Sequence, residues 1–212
     1  MATMPHRRRS LHLALIAALA ISVACARAAT ESSPFEPAPV IARELNMGDL
    51  LPDVPLRRED GQEFHLRDFH GEAVAITFFY SRCSAATFCP LVGRNFNIAQ
   101  ELLTKMGVGG KCHLLSISLD PAHDTTEVLA AYAKGYKADG QLWTFAAASK
   151  EDLRRLGDSI GLEYQRVGER IDHNLRTVIV DASGHIRHIF RGGEWTPQEL
   201  AAELVTTARR YR

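Results

Sequence analysis

Two cysteines, Cys83 and Cys89, lie on the stretch Phe78-Phe79-Tyr80-Ser81-Arg82-Cys83-Ser84-Ala85-Ala86-Thr87-Phe88-Cys89-Pro90. An apolar strand pattern runs into this stretch, and a proline suited to the first turn of a helix closes it. Two thiols in such a place are a redox couple, a soft-metal site or a pair of buried structural cysteines. Cys89 sits where a helix dipole and free N–H groups favour the thiolate, and Arg82 adds positive charge beside Cys83. The expectation is therefore unusually acidic, partly exposed thiols. Five residues separate the pair. Six positions along a helix would leave them on different faces, so the segment must loop. A looped pair can close a disulfide, or it can spread its two sulfurs around an ion.

The elements that must position these thiols are legible in the pattern. Asp60-Gly61 predicts a hairpin joining a short segment near Leu56 to an edge strand over 63–66. Residues 73–79 and 112–118 are near-continuous apolar runs and predict strands buried on both faces. A helix is predicted from Pro90 to Met106, and Gly107, Gly109 and Gly110 end it. Asp124 with Glu127 resembles a capping box opening a helix over 128–136. A short strand is expected over 141–146. Ser149 is the predicted cap of a helix over 152–160, which Gly161 closes. Asp172-His173-Asn174 leads into a strand over 177–180, and Asp181-Ala182-Ser183-Gly184 turns it into another over 185–190. Thr196-Pro197-Gln198-Glu199 is a capping box that opens a C-terminal helix. Alternating strands and helices with a closing antiparallel pair imply a mixed α/β sheet flanked by helices. A strand, cysteine loop and helix in that setting point to a thioredoxin-like fold, with the site at the sheet edge from which the loop leaves.

The chain has 212 residues, 46% of them hydrophobic and 24% charged, with formal net charge +0. That suits one globular domain and gives no basic patch for a nucleic-acid partner. The first 29 residues carry Arg7, Arg8, Arg9 and Arg27 and no acid. With the apolar run 11–24 and small residues around Ala24 to Ala28, they describe a signal peptide or a membrane-targeting segment. Cys25 raises the alternative of a lipidated N-terminus, and Arg8-Arg9-Ser10-Leu11 resembles weakly a twin-arginine signal. Each version puts the protein outside the cytoplasm, in the periplasm of a Gram-negative cell, either free or tethered by its N-terminus. Residues 30–45 form a Pro-rich linker, and residues 46–212 form the domain.

Ser116-Ile117-Ser118-Leu119-Asp120-Pro121-Ala122-His123-Asp124-Thr125, Asp172-His173-Asn174 and the loop ending Cys89-Pro90-Leu91 together resemble the Sco/SenC family. These are extracytoplasmic copper proteins of thioredoxin-like fold that help assemble the binuclear copper site of cytochrome c oxidase. The resemblance spans nearly the whole domain and implies copper, Cu(I) or Cu(II), as ligand. It implies Cys83, Cys89 and His173 as metal ligands. Asp120 matches the acidic residue of the family's D-P-x-x-D-T stretch. The family's common motif has three residues between its cysteines, where this chain has five. The implied partners are the oxidase subunit that carries the copper site, or another copper acceptor, and a thiol reductant of the thioredoxin type. Soft thiolates and an imidazole suit that ion.

The second reading is a thiol–disulfide oxidoreductase using Cys83 and Cys89 alone. The loop before the strand over 177–180 lacks the proline that generic thioredoxins carry there, which argues against a general reductase. A thiol peroxidase is a weaker third reading, with Arg82 or Arg94 beside the thiolate. Cys112 reads as core, with His113 on the opposite face of its strand. Asp120 reads as a turn cap or as a group orienting the site. His65, His70, His123, His185 and His188 show no ligand-like spacing. Trp143, Phe145 and Trp195 read as packing.

Overall fold

The computed structural model describes residues 46–211; the predicted export segment and linker lie outside the described residues. A seven-stranded mixed sheet organises the domain. Its strands in chain order are β1 (Pro55–Arg58), β2 (Glu63–His65), β3 (Ala73–Phe79), β4 (Cys112–Ser118), β5 (Trp143–Ala147), β8 (Arg176–Val180) and β9 (Ile186–Arg191). The order across the sheet is β2-β1-β5-β4-β3-β8-β9. Strands β3, β4 and β5 run parallel, while β1, β2, β8 and β9 join antiparallel. Between them lie α1 (Cys89–Lys105), α2 (Thr126–Gly135), α3 (Lys150–Ser159) and the C-terminal α4 (Pro197–Arg210). Helices α1 and α4 pack on one another and over β3 and β4, with α4 also on β8; α2 lies against β5 and β1. Every residue of β3 and β4 is buried, because a parallel strand with helices on both faces has no solvent side.

The expected mixed sheet, its N-terminal hairpin and its flanking helices are all present. Gly61 makes the hairpin turn with φ 88°, a conformation that costs glycine nothing. Ser149 caps α3 by accepting from the Asp152 N–H at 3.1 Å. Thr196 and Glu199 form the reciprocal box at α4, with Pro197 in the first turn. Trp143, Phe145 and Trp195 are buried in one core with Phe96.

Two expectations are corrected, the cap of α2 and the element that carries His173. Thr125, not Asp124, caps α2; the Asp124 carboxylate turns inward to the hydroxyls of Ser81 and Ser118. Asp124 is itself buried in an otherwise mostly exposed turn, so its carboxylate serves several inward donors better than one helix N–H. His113 is fully buried, as is Cys112 on the other face. Asp172 and His173 are not loop: they end β7 (Arg170–His173), which pairs antiparallel with β6 (Tyr164–Val167) in a separate two-stranded sheet. All of β6 and most of β7 lie at or near the surface, so no apolar alternation marks them in the sequence.

His113 gives this core a pH dependence. Its Nε2 lies 2.9 Å from Thr144 Oγ1 and its ring lies against Phe69. Burial, with Arg58 adding to it, pushes its pKa down to about 4. The Glu72 carboxylate, 4.0 Å away, does not offset that loss of hydration. The folded state thus binds fewer protons than the unfolded state between about pH 4 and the ordinary histidine value, and stability falls as pH falls through that window. Urea unfolding at pH 7 and pH 4.5 checks this. His113→Gln should remove roughly 2 kcal/mol of the acid-induced loss.

Candidate metal and thiol site

Strand β3 delivers the chain to one edge of the sheet, where Tyr80 is still buried. The loop then folds on itself. The Cys83 N–H donates to the Tyr80 carbonyl at 3.1 Å, and the Phe88 N–H donates to Ala85 at 2.9 Å. Cys89 opens α1 with Pro90 in the first turn, a place where the missing proline N–H has no partner to lose. Cys89 is only 1% exposed, whereas Cys83 is half-buried. Both thiols are free.

His173 comes to the same edge from β7. Its Nδ1 lies 2.8 Å from the Asn174 carbonyl oxygen. A carbonyl only accepts, so Nδ1 carries the hydrogen and Nε2 is the bare nitrogen. That Nε2 faces Cys89 Sγ at 3.7 Å, across 84 residues of chain. Tyr80 and Phe88 stand edge-to-face on the imidazole, with centroids at 6.1 and 5.9 Å. Phe88 is 38% exposed and forms the outer wall.

The protonation states follow from burial. Burial holds the His173 imidazole below its usual range and so neutral. Burial, reinforced by the neighbouring Cys83 sulfur, pushes the Cys89 thiol far up, against the backbone N–H groups that favour its thiolate. The expected acidic Cys89 is therefore corrected: desolvation of a sulfur inside the protein outweighs the helix N-terminus. At neutral pH the pair is a thiol donating to an imidazole nitrogen.

Two buried carboxylates hold the cysteine loop. Asp124 accepts from the Ser81 N–H at 3.2 Å as well as from the Ser81 and Ser118 hydroxyls. Asp120 is an ion-pair centre rather than a turn cap, bound by Arg82 at 2.8 Å and by Arg166 of β6. The other candidates lie in different surroundings. His65 pairs with Asp53, His185 with Asp181, and His188 stacks on Phe190; Cys112 lies against α4. Tyr80, Phe88 and Arg166 are site residues that the sequence reasoning did not single out. Tyr80 and Phe88 were within reach as the aromatics flanking the cysteines, but Arg166 had no signal.

The donor set fits a soft ion. It offers two sulfurs and one imidazole nitrogen whose lone pair is already aimed inward, and both nearby carboxylates are occupied by arginine or serine. Among the described residues no three His, Cys, Asp or Glu side chains already surround one point. Cys89 and His173 are already in contact, and Cys83 lies half-buried on the same loop.

Comparison with known proteins gives a consistent picture. The SCO1/SenC family model matches residues 46–209. Peroxiredoxin Bcp of Escherichia coli K12 is 28% identical over 150 residues, covering 69% of this chain and 85% of that protein. A putative electron transfer protein from Aquifex aeolicus VF5 superposes with TM-score 0.67 and 27% identity, covering 78% of this chain and 96% of that one. Arabidopsis thaliana ScoI, solved with copper bound, superposes with TM-score 0.65 and 19% identity, covering 78% of this chain and all of that one. Among the described residues no helix is long and apolar enough to cross a membrane.

The difference between the two thiols is measurable. In reduced, metal-free protein at pH 8, iodoacetamide should modify Cys83 at least about tenfold faster than Cys89, as mass spectrometry of the digest would read. Only thiolate reacts, and Cys89 is both protonated and enclosed. Equal rates would mean that Cys89 is not held as described.

Proposed function

This chain belongs to the SCO1/SenC family, and on that footing we propose that it is an extracytoplasmic copper carrier for assembly of the cytochrome c oxidase copper site. Cys83, Cys89 and His173 are the ligands, and copper is the cargo. The observation that carries this reading is the Cys89–His173 contact, with Nδ1 tied to a carbonyl and Nε2 left bare towards the sulfur. A general dithiol reductant has no use for such a nitrogen. The copper-bound state of the plant ScoI supports the choice of ion.

The chain's own residues do the following. Loading takes a proton from each thiol, and the neutral imidazole needs none removed. Burial of Cys89 makes its proton costly to lose without the cation, so loading tightens as pH rises. Phe88 and Tyr80 keep water from the imidazole face. Cys83, on the half-exposed side, is the sulfur that an acceptor's ligand displaces first. The N-terminal 29 residues direct export or tether the domain, which acts in the periplasm.

The likeness to peroxiredoxin Bcp favours a second reading, thiol–disulfide exchange on cysteines of periplasmic or membrane proteins. Cys83 and Cys89 would then give up two electrons and two protons in forming a disulfide, and a dithiol protein would restore them. The same oxidation removes both sulfur ligands, so copper is held only by the reduced form.

Anaerobic Cu(I) competition titration separates the two readings. Wild type should bind one ion tightly. His173→Ala should lose at least the roughly 10- to 100-fold in affinity that loss of a merely ligand-orienting group costs, and the Cys83→Ser Cys89→Ser double variant should bind none. If wild type and His173→Ala bind equally weakly while the dithiol exchanges rapidly with a dithiol reductant, the exchange reading replaces the copper reading.

A further inference from the structure

The two halves of the site belong to parts of the fold that share no sheet. The cysteine loop hangs from β3, inside the seven-stranded sheet, whereas His173 ends the separate β6–β7 ribbon. No sheet ladder ties that ribbon to β3 or β4; β8, which begins at Arg176 beside β3, carries its His173 end to the edge, and side chains fix how the ribbon then lies against the loop. Ile171 is its buried apolar anchor, and most of the ribbon's other residues lie towards solvent.

One carboxylate spans the gap. Asp120 is 1% exposed, and each of its oxygens meets a different arginine: Oδ2 takes Arg82 at 2.8 Å, and Oδ1 takes Arg166. Arg82 immediately precedes Cys83. Arg166 stands opposite Ile171 in the ribbon, whose next register pair on the same face is Tyr164 and His173. Asp120 is itself fixed, because its N–H donates to Ser118 Oγ at 2.9 Å and that hydroxyl donates to Asp124. Burial alone would push the Asp120 carboxyl up, but the two guanidinium groups hold it below the usual range. A buried carboxylate with two arginines differs from an exposed ion pair: removing one partner leaves charge that water cannot reach.

We propose that Arg166, through the carboxylate it shares with Arg82, is the positioning residue that latches the histidine ribbon onto the cysteine loop and so sets how closely His173 approaches the two sulfurs. This rests on the copper reading for its consequence but not for its geometry. Opening the latch moves the nitrogen ligand away and leaves the sulfurs on their loop, as handing the cargo to an acceptor requires.

The test uses the full chain with Arg166→Met and Arg166→Lys, read in two ways. Without metal, the Met variant should expose Cys89, raising its iodoacetamide rate at least about tenfold while Cys83 is little changed. With metal, it should bind Cu(I) about 10- to 100-fold more weakly and shift the sulfur-to-copper absorption of the Cu(II) form. Its melting temperature without metal should fall, because the buried Asp120 keeps only Arg82, so the thiol rates are compared at a temperature where both proteins are folded. Arg166→Lys, which keeps the charge but not the fork, should recover part of each effect. Should the Met variant not fold, Arg166→Gln serves with the same readouts. An unchanged Cys89 rate in a folded variant overturns the latch, whatever the metal result. A raised Cys89 rate in the variant, with wild type itself binding no Cu(I), supports the latch and sinks the copper reading instead.

Discussion

Burial of β3 and β4 on both faces is the constraint from which the site follows. Parallel neighbours end at the same edge of a sheet, and here Phe79 is in register with Ser118. The cysteine loop after β3 and the carboxylate-bearing turn after β4 are therefore neighbours by construction. Strand β8 joins β3 antiparallel, with Thr77 opposite Thr177, so β8 begins where β3 ends. Whatever precedes β8 must approach the same edge, and what precedes it is the ribbon ending in His173. Three segments distant in sequence thus converge because the core allows no other place for them to surface.

Burial then decides the chemistry at that edge. In water a thiol beside a helix N-terminus would ionise readily, but inside the protein the loss of hydration dominates and Cys89 stays protonated. The same loss keeps His173 neutral. Thiol and imidazole therefore meet as an uncharged hydrogen-bonded pair that the core tolerates. The carboxylates obey the same rule in the opposite sense. Asp120 is buried as an ion because two guanidinium groups accompany it, and Asp124 is buried because hydroxyl and backbone donors surround it. The site thus sets a neutral pair beside an Asp120 carboxylate that two arginines keep ionised.

Much of this was written in the chain in order. The apolar runs of β3 and β4, the Asp60-Gly61 turn, and the caps at Ser149 and Thr196 rest on local preferences that act over a few residues. The motif around Asp120 and the Cys89-Pro90 step pointed to the family, with His173 as third partner to the cysteines. The β6–β7 ribbon was missed because its strands are polar and pair mainly with each other, so neither period-2 burial nor a long apolar run marks them. Asp124 was misread as a cap because a carboxylate ahead of a helix looks the same in sequence whether it faces its own helix or the protein interior.

The sequence by itself determined which residues are chemically able to act: two thiols on a loop before a proline, a histidine ahead of a strand, and a core able to carry them. Only the tertiary structure decided their state and their geometry. Whether Cys89 is acidic depends on how much water reaches its sulfur. Which nitrogen His173 offers depends on a carbonyl from its neighbour, Asn174. Which cations accompany the buried Asp120 depends on arginines 38 and 46 positions away. Hydration and long-range ion pairing are properties of what surrounds an atom in space, and residue order does not contain them until the chain has folded.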